Sequence, residues 1–348
     1  MAQPGPSWSV HDVYVGWCEA LERLGQHVVR FNLDDRLAFY NNAVVQIGET
    51  DLEGRSKLRK ALDSDQAKEL AINSLAATLW KIRPDVLLVI SGFFVPHEML
   101  DHARRYGIRV IVVHTEEPYE VDRELELAAH ADLNLLNDPT HIERFGRVAP
   151  TVYCPHAYRV GFHQPGEPDP TLAADLAFVG TGFGSRRWFL EHMDLDGLDV
   201  LLAGNWAGVT ADSPLHRHLG SGDPAKCCDQ PEAIRIYQSA KIGINLYRRE
   251  AEDNAVVGGW SMGPREVEMA ACGLFFLRDP RPEGDQVLGM LPIFDGPEDA
   301  SQQLRWWLEH DDERCALAEK AREAVADRTF DRNAAELLRL LEQGKEQL

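Results

Sequence analysis

Asp175-Leu176-Ala177-Phe178-Val179-Gly180-Thr181-Gly182-Phe183-Gly184 decides the fold class of this chain. Its apolar first half reads as a buried strand, the glycines as a tight turn, and Arg186 to His192 behind them as a helix. The alternation continues downstream. Val200 to Ala203 is a strand, Ile234 to Ala240 a helix, Ile242 to Leu246 a strand, Pro264 to Cys272 a helix and Leu274 to Leu277 a strand. From Glu298 the chain reads as helix to its end, with Leu337, Leu338, Leu340 and Leu341 as an apolar stripe. Strands alternating with helices predict βαβ units and a parallel, doubly wound sheet.

Upstream, the same grammar starts less regularly. Val10, Val13, Tyr14, Trp17, Leu21 and Leu24 recur at helical spacing and Gly25 follows as a stop. His27 to Leu33 reads as a strand, and a long polar, helical stretch leads to Pro84. Four strands are then expected at Val86–Ile90, Arg109–Val113, Leu133–Leu136 and Thr151–Cys154, separated by helices at Pro96–Tyr106, Tyr119–Ala129 and Thr140–Phe145. A doubly wound domain ordinarily opens with a strand, yet the turn-like Gln3-Pro4-Gly5-Pro6-Ser7 arrives almost at once. The Pro/Gly-rich stretch through Pro155, Pro165, Gly166, Pro168 and Pro170 reads as a linker. The expected class is therefore α/β, with two Rossmann-like domains at 1–157 and 171–328 and a closing helix at 329–348.

The 348 residues carry 36 Lys and Arg against 56 Asp and Glu, a net charge of −20 that repels phosphate backbones and anionic lipid. A general nucleic-acid binder is disfavoured, and duplex DNA as a substrate would need a local basic patch. The 6 cysteines form neither a disulfide framework nor a C-x-x-C pair, and Met1 to Val10 shows no basic n-region and no apolar h-region, so secretion is not expected. The longest apolar run, Val86 to Val95, is short of a membrane span. A cytoplasmic location is the expectation.

Two loops could carry chemistry. Gly180, Thr181 and Gly182 form a strand-to-helix turn whose amides could approach a phosphate, with Arg186 and Arg187 adding charge. The spacing is G-x-G-x-G rather than the dinucleotide G-x-G-x-x-G, and Asn205 and Trp206 stand where an acidic ribose ligand belongs, so NAD binding is weakly supported. A tight turn with solvated arginines is the competing reading. The second loop is Trp260-Ser261-Met262-Gly263-Pro264-Arg265-Glu266-Val267-Glu268. Pro264 suits the first position of a helix capped by Gly263. Arg265 and Glu268 then share a face, where a guanidinium can clamp a diphosphate and a carboxylate can accept vicinal hydroxyls. An ordinary helical ion pair explains the same spacing.

Asp175-Leu176-Ala177-Phe178-Val179-Gly180-Thr181, Ile236-Tyr237-Gln238-Ser239-Ala240-Lys241-Ile242-Gly243-Ile244-Asn245-Leu246 and Arg265-Glu266-Val267-Glu268-Met269-Ala270-Ala271-Cys272-Gly273 occur in this order. Together they resemble the C-terminal domain of the CgeB-like, spore-maturation type glycosyltransferases, relatives of glycosyltransferase family 4. The resemblance spans Asp175 to Asn333, nearly half of the chain. It implies the GT-B architecture, two Rossmann-like domains facing a central cleft, with the C-terminal helix returning to the first domain. It implies a nucleotide diphosphate sugar as co-substrate, UDP-sugar favoured, no metal, and retention of configuration.

By the resemblance Glu268 holds the ribose hydroxyls and Gly263 meets the diphosphate. Asn205, Trp206, Asn245 and Arg248, at or beyond strand ends, join Gly180, Thr181, Gly182, Arg186 and Arg265 in the expected donor site. Family 4 enzymes usually carry a further glutamate near the transferred sugar, where this chain has Trp260, which leaves the sugar and its contacts open. More loosely, Pro6-Ser7-Trp8-Ser9 resembles the first cleft loop and His114 the histidine that touches the donor sugar.

Glu116 or Glu117 could orient an acceptor hydroxyl, against a solvated acidic turn; His11 and Asp12 could supply a base, against a helix N-terminus. Residues 111 to 145 hold nine acids against two arginines, a net of −7 on the presumed acceptor side, which points to a protein or small-molecule hydroxyl acceptor rather than DNA. Cys227-Cys228 and His216-Arg217-His218 lack catalytic or metal partners, and Trp306-Trp307 reads as core or domain contact. A GT-B sugar-nucleotide epimerase and a non-catalytic nucleotide- or carbohydrate-binding protein are the alternatives.

Overall fold

The computed structural model describes residues 8–42, 44–45, 59–60, 62–220, 223–250 and 258–346. The chain opens with helix α1 (Trp8–Arg23), ended by Gly25 in the left-handed region at φ 79°. Then come α2 (Leu33–Asn42), a short antiparallel pair of β1 (Val44–Val45) and β2 (Arg59–Lys60), and α3 (Ser64–Ile82). The first α/β unit runs β3 (Val86–Ile90), α4 (His97–Arg105), β4 (Arg109–Val113), α5 (Val121–Ala128), β5 (Leu133–Leu136), α6 (Ile142–Gly146) and β6 (Thr151–Tyr153). Its four strands are parallel in the order β3-β4-β5-β6.

Alternation along β4 shows how this sheet is covered. Val110 and Val112 face Leu75 and Leu79 of α3 and Leu100 and Ala103 of α4. Ile111 and Val113 face Trp17 and Ala20 of α1 together with Phe330, Ala334 and Leu337 of α13 (Phe330–Glu346). Helix α13 thus comes from the far end of the chain to lie beside α1 on the first sheet.

The expected strand at His27–Leu33 does not form: 26–32 is irregular and Leu33 starts α2. Arg30 turns back to pair with Glu22 of α1 at 2.7 Å, Val29 is exposed and Phe31 packs on the core beside α3 and α4, so the segment is held by side-chain contacts and does not add to the edge strand β3. Gln3 to Ser7 lies outside the described residues.

The second unit runs β7 (Ala174–Val179), α7 (Gly184–Glu191), β8 (Val200–Ala203), α8 (Gln230–Ser239), β9 (Ala240–Asn245), α9 (Pro264–Ala271) and β10 (Phe276–Arg278), followed by α10 (Pro282–Val287), α11 (Pro297–Leu308) and α12 (Asp311–Ala324). Its strands are parallel in the order β10-β9-β7-β8. The chain steps from β7 outward to β8, then crosses back to β9 on the other side of β7. Connections therefore diverge at the carboxyl ends of β7 and β9, the switch point where α/β sheets open a crevice.

Candidate functional site

Two arginines, Arg186 buried and Arg265 partly buried, converge on that crevice. Arg186 of α7 donates from Nε to Leu246 O at 2.9 Å and from Nη1 to Thr181 O at 3.0 Å. Arg265 of α9 donates from Nη1 to Asn245 Oδ1 at 3.1 Å. Their guanidinium carbons stand 5.4 and 5.1 Å from the centre of the Phe178 ring. Among the described residues no carboxylate lies within ion-pair distance of either. Burial, and then the Arg265 cation, push the Arg186 pKa down. A desolvated cation with a second, partly buried one beside it, neither neutralised by an ion-pair carboxylate among the described residues, is an electrostatic demand for an anion.

Glycine makes the approach possible. Gly180 has φ 152°, and a Cβ there would stand 2.4 Å from Arg265 Nη2. A Cβ on Gly204, φ 110°, would stand 2.4 Å from Gly180 O, so the turns after β7 and β8 are pressed together.

The backbone amides tell a different story from the sequence. Those of Gly180 and Gly182 donate to Ala203 O and Asn205 O, and that of Phe183 to Thr181 O. At the start of α7, Ser185 N and Oγ donate to the Glu250 carboxylate at 2.7 and 2.9 Å. The amides of Gly180, Gly182, Phe183 and Ser185 are thus already engaged within the protein, which narrows the turn as a phosphate cradle.

The turn before α9 behaves likewise. Trp260 N and Ser261 N donate to Asp138 Oδ2 (2.9 and 3.4 Å), Met262 N to Glu283 Oε2 (2.8 Å) and Gly263 N to Glu266 Oε2 (2.8 Å). Four successive amides form a nest filled by the protein's own carboxylates. The Gly263 amide expected to meet a diphosphate is thus held by the Glu266 carboxylate. Glu266 also accepts from Tyr247 OH, and burial pushes its pKa up to about 7.

Asp138 belongs to the first unit, so this nest joins the two. Ser261 Oγ donates to Asn137 O, and Tyr153 of β6 and Arg328 share Glu283 Oε1. Over the arginines the roof is Tyr119, 5.0 Å from Arg248 Cζ and within 3.4 Å of Arg281 Nη2. Arg248 Nη1 stands 3.9 Å from Glu116 Oε2, and Arg249 pairs with Asp279 at 2.7 Å. Arg281 lies flat over Tyr247 at 4.1 Å. Glu250, Asp279 and Arg281 were invisible to motif reading; their one sequence signal is position just past the carboxyl ends of β9 and β10.

Several expected site residues stand elsewhere. Trp206 is 1% exposed and packs under Gly182 and edge-on to Phe178, so it is core rather than a donor contact. Asn205 Oδ1 accepts from Ala207 N, holding its own turn, while Thr181 is exposed at the rim.

His114 is buried at the end of β4. Asn134 Nδ2 donates to Ala128 O, so its Oδ1 accepts from His114 Nε2 at 2.9 Å, and burial lowers this imidazole to about 4. Glu117 is buried too, accepting from Asn137 N at 3.1 Å, with its pKa raised by burial; it is Glu116 that faces Arg248. Asp12 lies on α1 in an ion pair with Arg159 at 2.8 Å, and Glu268 faces it. No contact among the described residues joins Asp12 to His114 or Glu117.

The acidic stretch 111–145 is not the open anionic surface its count implies. Glu117 and Glu124 are buried, and Glu120, Asp122 and Asp132 pair with Arg123, Arg144 and Arg104. Trp307 packs on Phe275, whereas Trp306 is half exposed and stacks on His310. Burial pushes the Cys228 thiol up to about 12, which leaves it unreactive.

Residues 186–339 match a family model described as glycosyl transferase-like. The chain is 25% identical over 276 residues to the spore protein CgeB of Bacillus subtilis (strain 168), covering 75% of this chain and 85% of that protein. A solved structure described as trehalose-6-phosphate from E. coli bound with UDP-2-fluoro glucose superposes with a TM-score of 0.59 at 13% identity, covering 99% of this chain and 97% of that one. A putative UDP-N-acetylglucosamine 2-epimerase from Listeria monocytogenes gives 0.53 at 12%, covering 83% and 82%. At such identities the structural likeness is one of fold, and that fold is GT-B. The family model, the relative and the fold point the same way: residues 186–339 are similar to glycosyl transferases, most of the chain is similar to CgeB, and the fold is GT-B.

Proposed function

We propose that the chain transfers a sugar from a nucleotide diphosphate sugar, a UDP-sugar first among them, to a hydroxyl on a protein or small-molecule acceptor. What carries the reading is the pair Arg186, buried, and Arg265, partly buried, which stand beside Gly180 without an ion-pair carboxylate among the described residues. A diphosphate seated there would neutralise both. As the glycosidic bond breaks, negative charge grows on the leaving diphosphate, and fixed cations in a water-poor site stabilise that charge more than the ground state. Two guanidinium groups supply the positive charge that a metal supplies elsewhere, so the reaction is proposed to run without one. Retention of configuration follows from the family 4 resemblance. The bound UDP-2-fluoro glucose of the E. coli structure supports the donor class.

A thermal-shift panel of UDP-, GDP-, ADP- and TDP-sugars tests the reading, followed by product analysis with and without candidate acceptors. Stabilisation by one nucleotide class, abolished in Arg265→Ala, is expected. If no nucleotide sugar moves the transition, the donor site is misassigned; conversion of the donor to an epimer with no acceptor present would replace transfer by epimerisation.

A further inference from the structure

Asp12 of α1, His163 of the connector and Glu268 of α9 bring ligand-type atoms within 4.8 Å of one another, all buried, where the two units and their linker meet. His163 is 2% exposed and its Nε2 has no hydrogen-bond partner; it stands 3.9 Å from Asp12 Oδ2. The spacing would suit a metal ion, but the hydrogens do not. His163 Nδ1 accepts the Arg159 amide at 3.1 Å, so in the neutral ring Nε2 carries the hydrogen and offers no lone pair to a cation. Arg159 also already neutralises Asp12, at 2.8 Å, and Glu19, at 2.7 Å.

Glu268 has no such partner. The groups facing it are Asp12 from α1, with Glu19 behind it; Arg159 and His163 from the connector; Gln230 and Tyr237 from α8; and Arg265 and Cys272 from its own segment. Arg265 is turned to Asn245, and Gln230 Oε1 is unpartnered. Two carboxylates this close in a buried seam cannot both be ionised at low cost. We infer that a proton on Glu268, held against Asp12 beside His163, latches the two domains closed, and that its loss opens the cleft at the linker.

Burial, and next Asp12, push Glu268 up to about 8 from its ordinary 4.5. A carboxyl whose pKa is raised in the closed state favours closure fully below the ordinary value. That advantage is lost progressively as pH rises through about 8, beyond which no further opening is driven. Because the proposed donor site gives Glu268 the ribose hydroxyls, the latch touches that reading, and its test is run without nucleotide.

Small-angle scattering of the full chain from pH 5 to 9.5 reads closure as the radius of gyration. The wild type is expected to expand between the ordinary carboxyl range and about pH 8. Glu268→Gln, neutral at every pH, is expected to stay compact throughout. Asp12→Asn, which removes the facing anion, is expected to shift the expansion window down by about one pH unit or more. A wild-type radius that does not change, or a Glu268→Gln chain that expands as the wild type does, would overturn the latch. Nucleotide affinity is measured separately, so loss of the latch leaves the donor assignment standing, and the reverse.

Discussion

Arg265 of α9 lies against the bare Cα of Gly180, the residue after β7, in the space a methyl group would need: an added Cβ falls 2.4 Å from its Nη2. The strand-to-helix turn after β7 and the helix α9 that follows the neighbouring strand β9 are thereby fitted to each other through a glycine and a guanidinium. Gly180→Ala is expected to push Arg265 off Asn245 and to strain a backbone at φ 152°, costing roughly 1–3 kcal/mol. Nucleotide-sugar affinity by calorimetry should fall by about tenfold or more. Unchanged affinity would mean that Arg265 does not meet the donor.

Among the described residues Arg265 has one hydrogen-bond partner, Asn245, so its removal spares the core. Arg265→Ala is expected to lower kcat/KM by about a hundredfold, the scale of losing one preorganised charge donor, while its melting temperature stays near that of the wild type. Arg265→Lys should recover only part, since an ammonium cannot hold the Asn245 amide and a phosphate in one plane. Full recovery by lysine would show that charge alone matters.

Glu266 provides a test by pH. Its folded-state value of about 7 lies above the ordinary 4.5 because burial disfavours the anion. Its contribution is therefore fully present below pH 4.5 and is lost as pH rises through 7, a cost on the order of 3 kcal/mol. Urea unfolding at pH 5 and pH 8 should show Glu266→Gln losing less stability between the two than the wild type does. Parallel losses would assign the slope to other groups.

Gly16 sits inside α1, where propensity alone says that alanine should stabilise by up to about 1 kcal/mol. Its Cβ would stand 2.3 Å from Phe330 Cδ2, a ring buried between α1, α13 and the first sheet. Gly16→Ala is expected to destabilise by about 1–3 kcal/mol instead, seen as a lower midpoint in denaturant. A higher midpoint would show that α13 can yield.

Much of the second unit is legible in one dimension because its signals are local. The run through Phe178 and Val179 into Gly180 is a buried strand ending in a turn by composition, and Pro264 behind Gly263 marks a helix start in any context. His27–Leu33 failed because a strand is decided by what it pairs with, and composition cannot supply an edge. Trp206 failed for a related reason: the sequence places it after β8, but only packing puts its ring under Gly182 rather than in the crevice.

The sequence by itself determined the α/β alternation, the carboxyl-end loops and the arginines that can answer a diphosphate, since each depends on residues a few positions apart. Only the tertiary structure decided that the loop amides are already taken by Glu250, Asp138, Glu283 and Glu266. It likewise set Glu268 against Asp12 across the linker. A buried hydrogen bond or charge pair is fixed by which desolvated groups meet in space, and Asp12 and Glu268 lie far apart in the sequence, on the first and the ninth helix.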